Sequence, residues 1–112
     1  MSKHMQLTVT VRPYYQRDLE GTYPNLARHL GYLDPELVRR DPSLYELAGE
    51  LDQLLYRLEG TPLREVLLRR REGLLKLHKQ IKESLADWNL AQADRLLYAL
   101  EDEFDDLEKE LN

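Results

Sequence analysis

The side chains best placed for chemistry are carboxylates near the end of the chain. Glu103 and Asp106 stand three apart, which puts both on one helical face, a spacing suited to a divalent cation. A helical metal centre also needs ligands from a neighbouring helix. The neighbouring stretch offers Arg69, Arg70 and Arg71 instead. The histidines are His4, His29 and His78, and none stands in a Glu-x-x-His or His-Glu-x-x-His spacing. Ser2, Ser43 and Ser84 lie in no nucleophile motif, and there is no glycine-rich phosphate loop. Nothing pairs with His78 as a nucleophile. The reading is therefore a chain with no catalytic residue, no cofactor and no resident metal. The alternative is an all-α metal-dependent enzyme or ligand-binding bundle that uses the late carboxylates.

The arginines suggest a different chemistry. Arg64, Arg69, Arg70, Arg71, Lys76, Lys79 and Lys82 face only Glu65, Glu72 and Glu83 in the same stretch. Taken alone, this is a phosphate-binding helix, which makes nucleic-acid binding a second alternative. The next helix is acidic, with Asp94, Glu101, Asp102, Glu103, Asp105, Asp106, Glu108 and Glu110. If the two helices fold back on each other near Asp87, Arg69, Arg70 and Arg71 meet Glu103, Asp105 and Asp106. Intramolecular charge pairing then occupies the groups a nucleic acid would need. A formal net charge of −5 also disfavours that partner and favours solubility. Acidic residues at the end of a helix oppose its dipole. The charge must then be compensated by the basic helix, or the acidic end must face solvent or a partner.

These groups are positioned by three helices. The first reads Leu44, Leu47, Leu51, Leu54 and Leu58, gaps of three and four that share one face. Asp41-Pro42 is its expected start and Gly60 its stop. Thr61-Pro62 opens the second, whose stripe is Leu63, Leu67, Arg70, Leu74, Leu77, Ile81 and Leu85. Arg70 breaks that stripe and is expected to pair with an acidic residue at the bundle edge. Gly73 lies mid-helix, which close backbone approach or a slight bend would explain. The third runs Leu90, Ala93, Leu97, Leu100, Phe104, Leu107 and Leu111, with Asn89 and Gln92 at capping-box spacing. The connector at Ala86-Asp87-Trp88 is short, so the second and third helices should form an antiparallel hairpin. Trp88 is expected to cap the end of the core.

The N-terminal third differs. From Gln6 to Arg12 the chain alternates, with Leu7, Val9 and Val11 on one side and Thr8, Thr10 and Arg12 on the other, which predicts a strand ended by Pro13. Residues 14–23 read as a loop with Gly21-Thr22 as turn material. Pro24 to Leu30 reads as a short helix closed by Gly31, and Asp34-Pro35 opens another to about Arg39.

The fold class is thus mainly α. It is a three-helix bundle built on an antiparallel hairpin, with an N-terminal extended strand and short helical turns. Residues 1–4, before Met5, read as a cloning-junction scar. Residues 5–42 hold the strand, loop and short helices, and 43–112 the bundle, all in one domain. In the helical part, Asp87, Ala91, Leu97, Tyr98 and Leu107 resemble the C-terminal three-helix module of the J-type co-chaperones of iron–sulfur assembly. That resemblance implies a three-helix fold. The J domain and its His-Pro-Asp motif are not in this sequence, so no activity follows from it.

Charged residues at 33% and hydrophobic ones at 42% fit a globular domain. No apolar run approaches a bilayer span, and no basic-then-apolar leader opens the chain. With no cysteine there is no disulfide framework. These features are read as cytoplasmic. The functional expectation rests on the solitary strand, whose backbone groups need partners outside a helical body. It could pair with a second copy, giving a homo-oligomer, or add to another protein's sheet. Tyr14, Tyr15, Tyr23 and Tyr32 cluster nearby, and tyrosine is enriched at binding hot spots. Leu7, Val9, Val11, Arg12, Tyr14, Tyr15, Tyr23 and Tyr32 are the candidate partner-binding residues of an adaptor, assembly factor or small regulatory subunit.

Overall fold

The computed structural model describes residues 9–15 and 18–111. Among these the regular structure is entirely helical: α1 (Leu19–Thr22), α2 (Pro24–Leu33), α3 (Pro35–Arg39), α4 (Leu44–Gly49), α5 (Leu51–Arg57), α6 (Pro62–Ala86) and α7 (Leu90–Glu110). The helices α6 and α7 are much the longest and pack extensively on each other. They set the length of a molecule measuring 49 × 26 × 26 Å. No helix is long and apolar enough to cross a membrane among the described residues.

Local chemistry explains most boundaries. Thr61 caps α6 by accepting from the Arg64 amide, with Pro62 in the first turn. Asn89 caps α7 by accepting from the Gln92 amide. Asp34 caps α3 by accepting from the amides of Glu36 and Leu37. Gly60 adopts φ 83° after α5, a conformation open to glycine at little cost. Three boundaries differ from the sequence reading. Ser43, not Asp41-Pro42, starts α4, accepting from the Glu46 amide. Asp41 instead takes φ 47° and accepts from the Leu19 amide, capping α1. The chain from 19 to 22 is a helical turn rather than a loop. Gly31 does not end α2, which continues to Leu33.

The first bundle helix is also interrupted. Its apolar stripe stays buried from Leu44 to Leu58, but α4 ends at Gly49 and α5 begins at Leu51. The last residue of α4 is a glycine packed against α6. A Cβ at Gly49 would sit 2.8 Å from Nε2 of His78, so a larger residue would make that ring shift. Glycine is a weak helix former, and the helix gives way beside it.

The expected strand is not formed over its described part. Residues 9–12 carry no sheet pairing among the described residues, and Leu7 with the rest of residues 6–8 lies outside them. The described elements supply no strand edge to pair with, so side chains hold this segment. The Tyr15 hydroxyl donates to the Pro42 carbonyl at 2.6 Å, and its ring packs against the core.

The turn between α6 and α7 is tightly bonded. The Asn89 amide donates to the Ser84 carbonyl at 2.8 Å and the Trp88 amide to Leu85 at 3.1 Å. This pair of bonds ends helices with a left-handed residue, usually glycine. Here that residue is Trp88, at φ 57°, and it is 55% exposed rather than capping the core. Leu90 is exposed as well.

Gly73 has a simpler context than either explanation offered for it. No atom lies within 4 Å of where its Cβ would be. Replacing it with alanine should therefore stabilise the fold by about 1 kcal/mol, read as a higher urea midpoint with unchanged slope. A lower midpoint would show that this backbone needs glycine's freedom.

Candidate interaction surface

Helix α7 carries two parallel stripes. Ala93, Leu97, Leu100 and Phe104 face the core. One residue along, Asp94, Tyr98, Glu101 and Asp105 repeat the same gaps of four, three and four, which places them on an adjoining face. The N-terminal segment and α4 lie beside that face and close a cavity of about 610 Å³. Val11, Arg12, Tyr14 and Tyr15 line it from one side, Tyr23 and Tyr45 from the helices, and Asp94, Tyr98, Glu101 and Asp105 from α7.

The tyrosines divide into two kinds. Tyr23 is buried and its hydroxyl donates to Asp105 at 2.9 Å. Its ring meets Phe104 at 6.3 Å in a tilted arrangement. The hydroxyls of Tyr15 and Tyr23 are both held well above the ordinary phenol value. Burial is the main cause in each; Asp41 adds to it for Tyr15, and the bond to Asp105 for Tyr23. Tyr15 anchors the segment, and Tyr23 is buried in the core while lining the cavity. Tyr14 and Tyr98, in contrast, are 99% and 62% exposed. Tyr45 stacks on His78, with ring centres 4.5 Å apart. Tyr32 is exposed on α2 and takes no part in the cavity.

Of the candidate binding residues, the structure brings Val11, Arg12, Tyr14, Tyr15 and Tyr23 together in the cavity wall. Val9 is 37% exposed and does not line it. The sequence reading missed Tyr45, Asp94, Tyr98 and Glu101. The second stripe on α7 was the signal that could have found the last three.

The carboxylates are not equivalent. Asp105 accepts from Tyr23, whereas Asp94 and Glu101 enter no ion pair among the described residues. Partial burial, followed by the charges of Asp105, Asp102 and Asp94, raises the Glu101 carboxyl above its ordinary value. Among the described residues that line the cavity, carboxylates outnumber basic groups.

Elsewhere much of the acidic end of α7 is paired. Arg70, with its side chain 21% exposed, is clamped by Glu103 and Glu110, each at 2.9 Å. Arg69 reaches Glu110 at 3.7 Å. Arg71 turns the other way and pairs with Asp52 of α5 at 2.8 Å. The expected pairing of Arg71 with Asp105 or Asp106 is thus corrected: its position on α6 faces α5, while Asp105 serves Tyr23. Asp106 is exposed and enters no ion pair among the described residues. Glu108 accepts from the amides of Asn25 and Leu26 at 2.8 and 2.9 Å. With the arginines taken by carboxylates of their own chain, α6 presents few free guanidinium groups to a phosphate backbone. Among the described residues, no group of three or more histidines and carboxylates is placed to hold a metal ion.

His78 is partly buried between Tyr45 and Gly49. Burial first, and then Lys82, lower its pKa below the ordinary 6.5. A depressed folded value means that neutral His78 contributes stability above the unfolded pKa. That contribution is lost as pH falls through the folded pKa. Replacing His78 with phenylalanine keeps the ring stack and removes the titration. The stability difference between about pH 7.5 and about pH 5 should then shrink, as read by urea midpoints. An unchanged difference would place the acid sensitivity elsewhere.

No family model matches this chain, and searches of curated proteins and of solved structures return no significant match.

Proposed function

We propose that this chain is a non-catalytic protein–protein interaction module, an adaptor, assembly factor or small regulatory subunit, acting in the cytoplasm. Its contact surface is the extended N-terminal segment together with the tyrosine-lined cavity that the segment completes. The observation that carries this reading is the state of residues 9–14. None of them is in a helix, and no backbone hydrogen bond joins them to the body among the described residues. An open row of donors and acceptors beside exposed tyrosines suits strand addition by a second copy or by another protein. The absence of cysteine fits a reducing compartment.

Deleting residues 5–14 tests the reading, with Tyr15 kept because its hydroxyl anchors the segment to Pro42. The expected result is loss of self-association or partner binding, measured by light scattering and sedimentation, with helicity retained in circular dichroism. A truncated chain that assembles like the intact one would place the contact surface elsewhere.

A further inference from the structure

We propose that the cavity between the N-terminal segment and α7 binds a basic side chain, arginine or lysine, presented by an extended peptide of a partner protein. This rests on the interaction reading above and names the chemistry of its ligand.

Charge complementarity selects the occupant. Among the described residues that line the cavity, Asp94, Glu101 and Asp105 stand against one basic residue, Arg12. Three carboxylates against one cation leave a deficit of positive charge. An apolar ligand would strip water from Asp94 and Glu101 without replacing it, which is costly. An anionic ligand would add repulsion. A cation satisfies both carboxylates and relieves the crowding that raises Glu101.

The aromatic walls point the same way. Tyr14 and Tyr98 come from different elements and keep large rings in solvent, and a cation held near a tyrosine face is attracted to its electron-rich surface. Tyr45 is steadied by its stack on His78. The hydroxyls of Tyr15 and Tyr23 are committed to Pro42 and Asp105, so these residues offer the cavity their ring carbons. Tyrosines and carboxylates thus line one cavity, a combination suited to an aliphatic stem ending in a cation. A peptide is favoured over a small free cation by the form of the site. The cavity is a half-open cleft of about 610 Å³, more than one side chain fills. Its edge is residues 11–14, whose backbone enters no backbone hydrogen bond among the described residues and against which an extended chain can pair.

The test is a titration of the isotope-labelled full-length protein, followed by nuclear magnetic resonance, with a blocked heptapeptide of alanines and threonines around a central arginine. The control peptide carries citrulline, which keeps the shape and removes the charge. Resonances of residues 9–15 and 94–105 should shift, with affinity for the arginine peptide about tenfold above that for citrulline. Combining Asp94→Asn with Glu101→Gln should abolish that preference. Tyr98→Ala should weaken the arginine peptide about three- to tenfold. All three positions are exposed, so melting temperatures should stay unchanged. Spermine should compete with the peptide. Equal binding of arginine and citrulline peptides at residues 9–15 would overturn the cation while leaving the interaction reading intact. Spermine binding without peptide binding would overturn the peptide. Shifts confined to other regions, or none at millimolar peptide, would overturn the site itself, and the deletion of residues 5–14 still judges the interaction reading separately.

Discussion

Replacing Glu108 with alanine should destabilise the fold by about 2–3 kcal/mol, far more than an exposed carboxylate normally contributes. The reason begins at the start of α2. Its preceding residue, Tyr23, provides no side-chain cap, and Pro24 has no amide to satisfy. The next two amides, Asn25 and Leu26, need acceptors, and Leu26 is only 2% exposed, so water cannot serve it. The two oxygens of Glu108 take one amide each, and its negative charge meets the positive end of the α2 dipole. The Asn25 side chain also donates to the Leu111 carbonyl at 2.7 Å. Glu108→Gln keeps one acceptor oxygen and loses the charge, so it should cost about 1 kcal/mol. Urea unfolding of the two variants checks both values. A loss under about 1 kcal/mol for alanine would show that the N-terminal helices are held by apolar contact alone.

Phe104→Ala should cost more, about 3–4 kcal/mol. Phe104 is 2% exposed and packs in the main core cluster, and it is the aromatic partner of Tyr23. Removing the ring deletes buried apolar surface and leaves a void that surrounding leucines fill only in part. It also removes the support of the Tyr23 ring, whose hydroxyl must stay aimed at Asp105. A double-mutant cycle of Phe104→Leu with Tyr23→Leu should return a coupling of about 0.5–1.5 kcal/mol. Additive losses would show that the two rings pack independently.

The helical character and several helix ends were legible because they depend on neighbours in sequence. Thr61-Pro62, Asn89 with Gln92, and Asp34-Pro35 each cap a helix with atoms only a few residues away. The apolar repeats of α6 and α7 were legible for the same reason. What escaped the sequence depends on distant residues. Asp41 has the composition of a helix start, but a left-handed backbone turns it toward Leu19. Gly49 ends its helix packed against His78 of another helix. Arg71 sits beside Arg70 in the chain yet faces Asp52 across a different interface. The cavity was partly legible: Tyr14 and Tyr15 stood out, whereas the Asp94, Tyr98, Glu101 and Asp105 stripe was masked by the general acidity of α7. No local rule shows that residues 11–15 come to lie against that stripe.

The bonds of Glu108 to Asn25 and Leu26 join residues more than eighty positions apart, so the start of α2 depends on a residue far along the chain for its place. Contacts of such long sequence separation form late, since a large loop must close first. On a ribosome, which releases the chain from the N-terminus onward, the opening segment emerges well before the helix that seats it. The acidic, tyrosine-lined cleft therefore forms only once α7 has been made, and a chain cut short before Glu108 would lack this clasp.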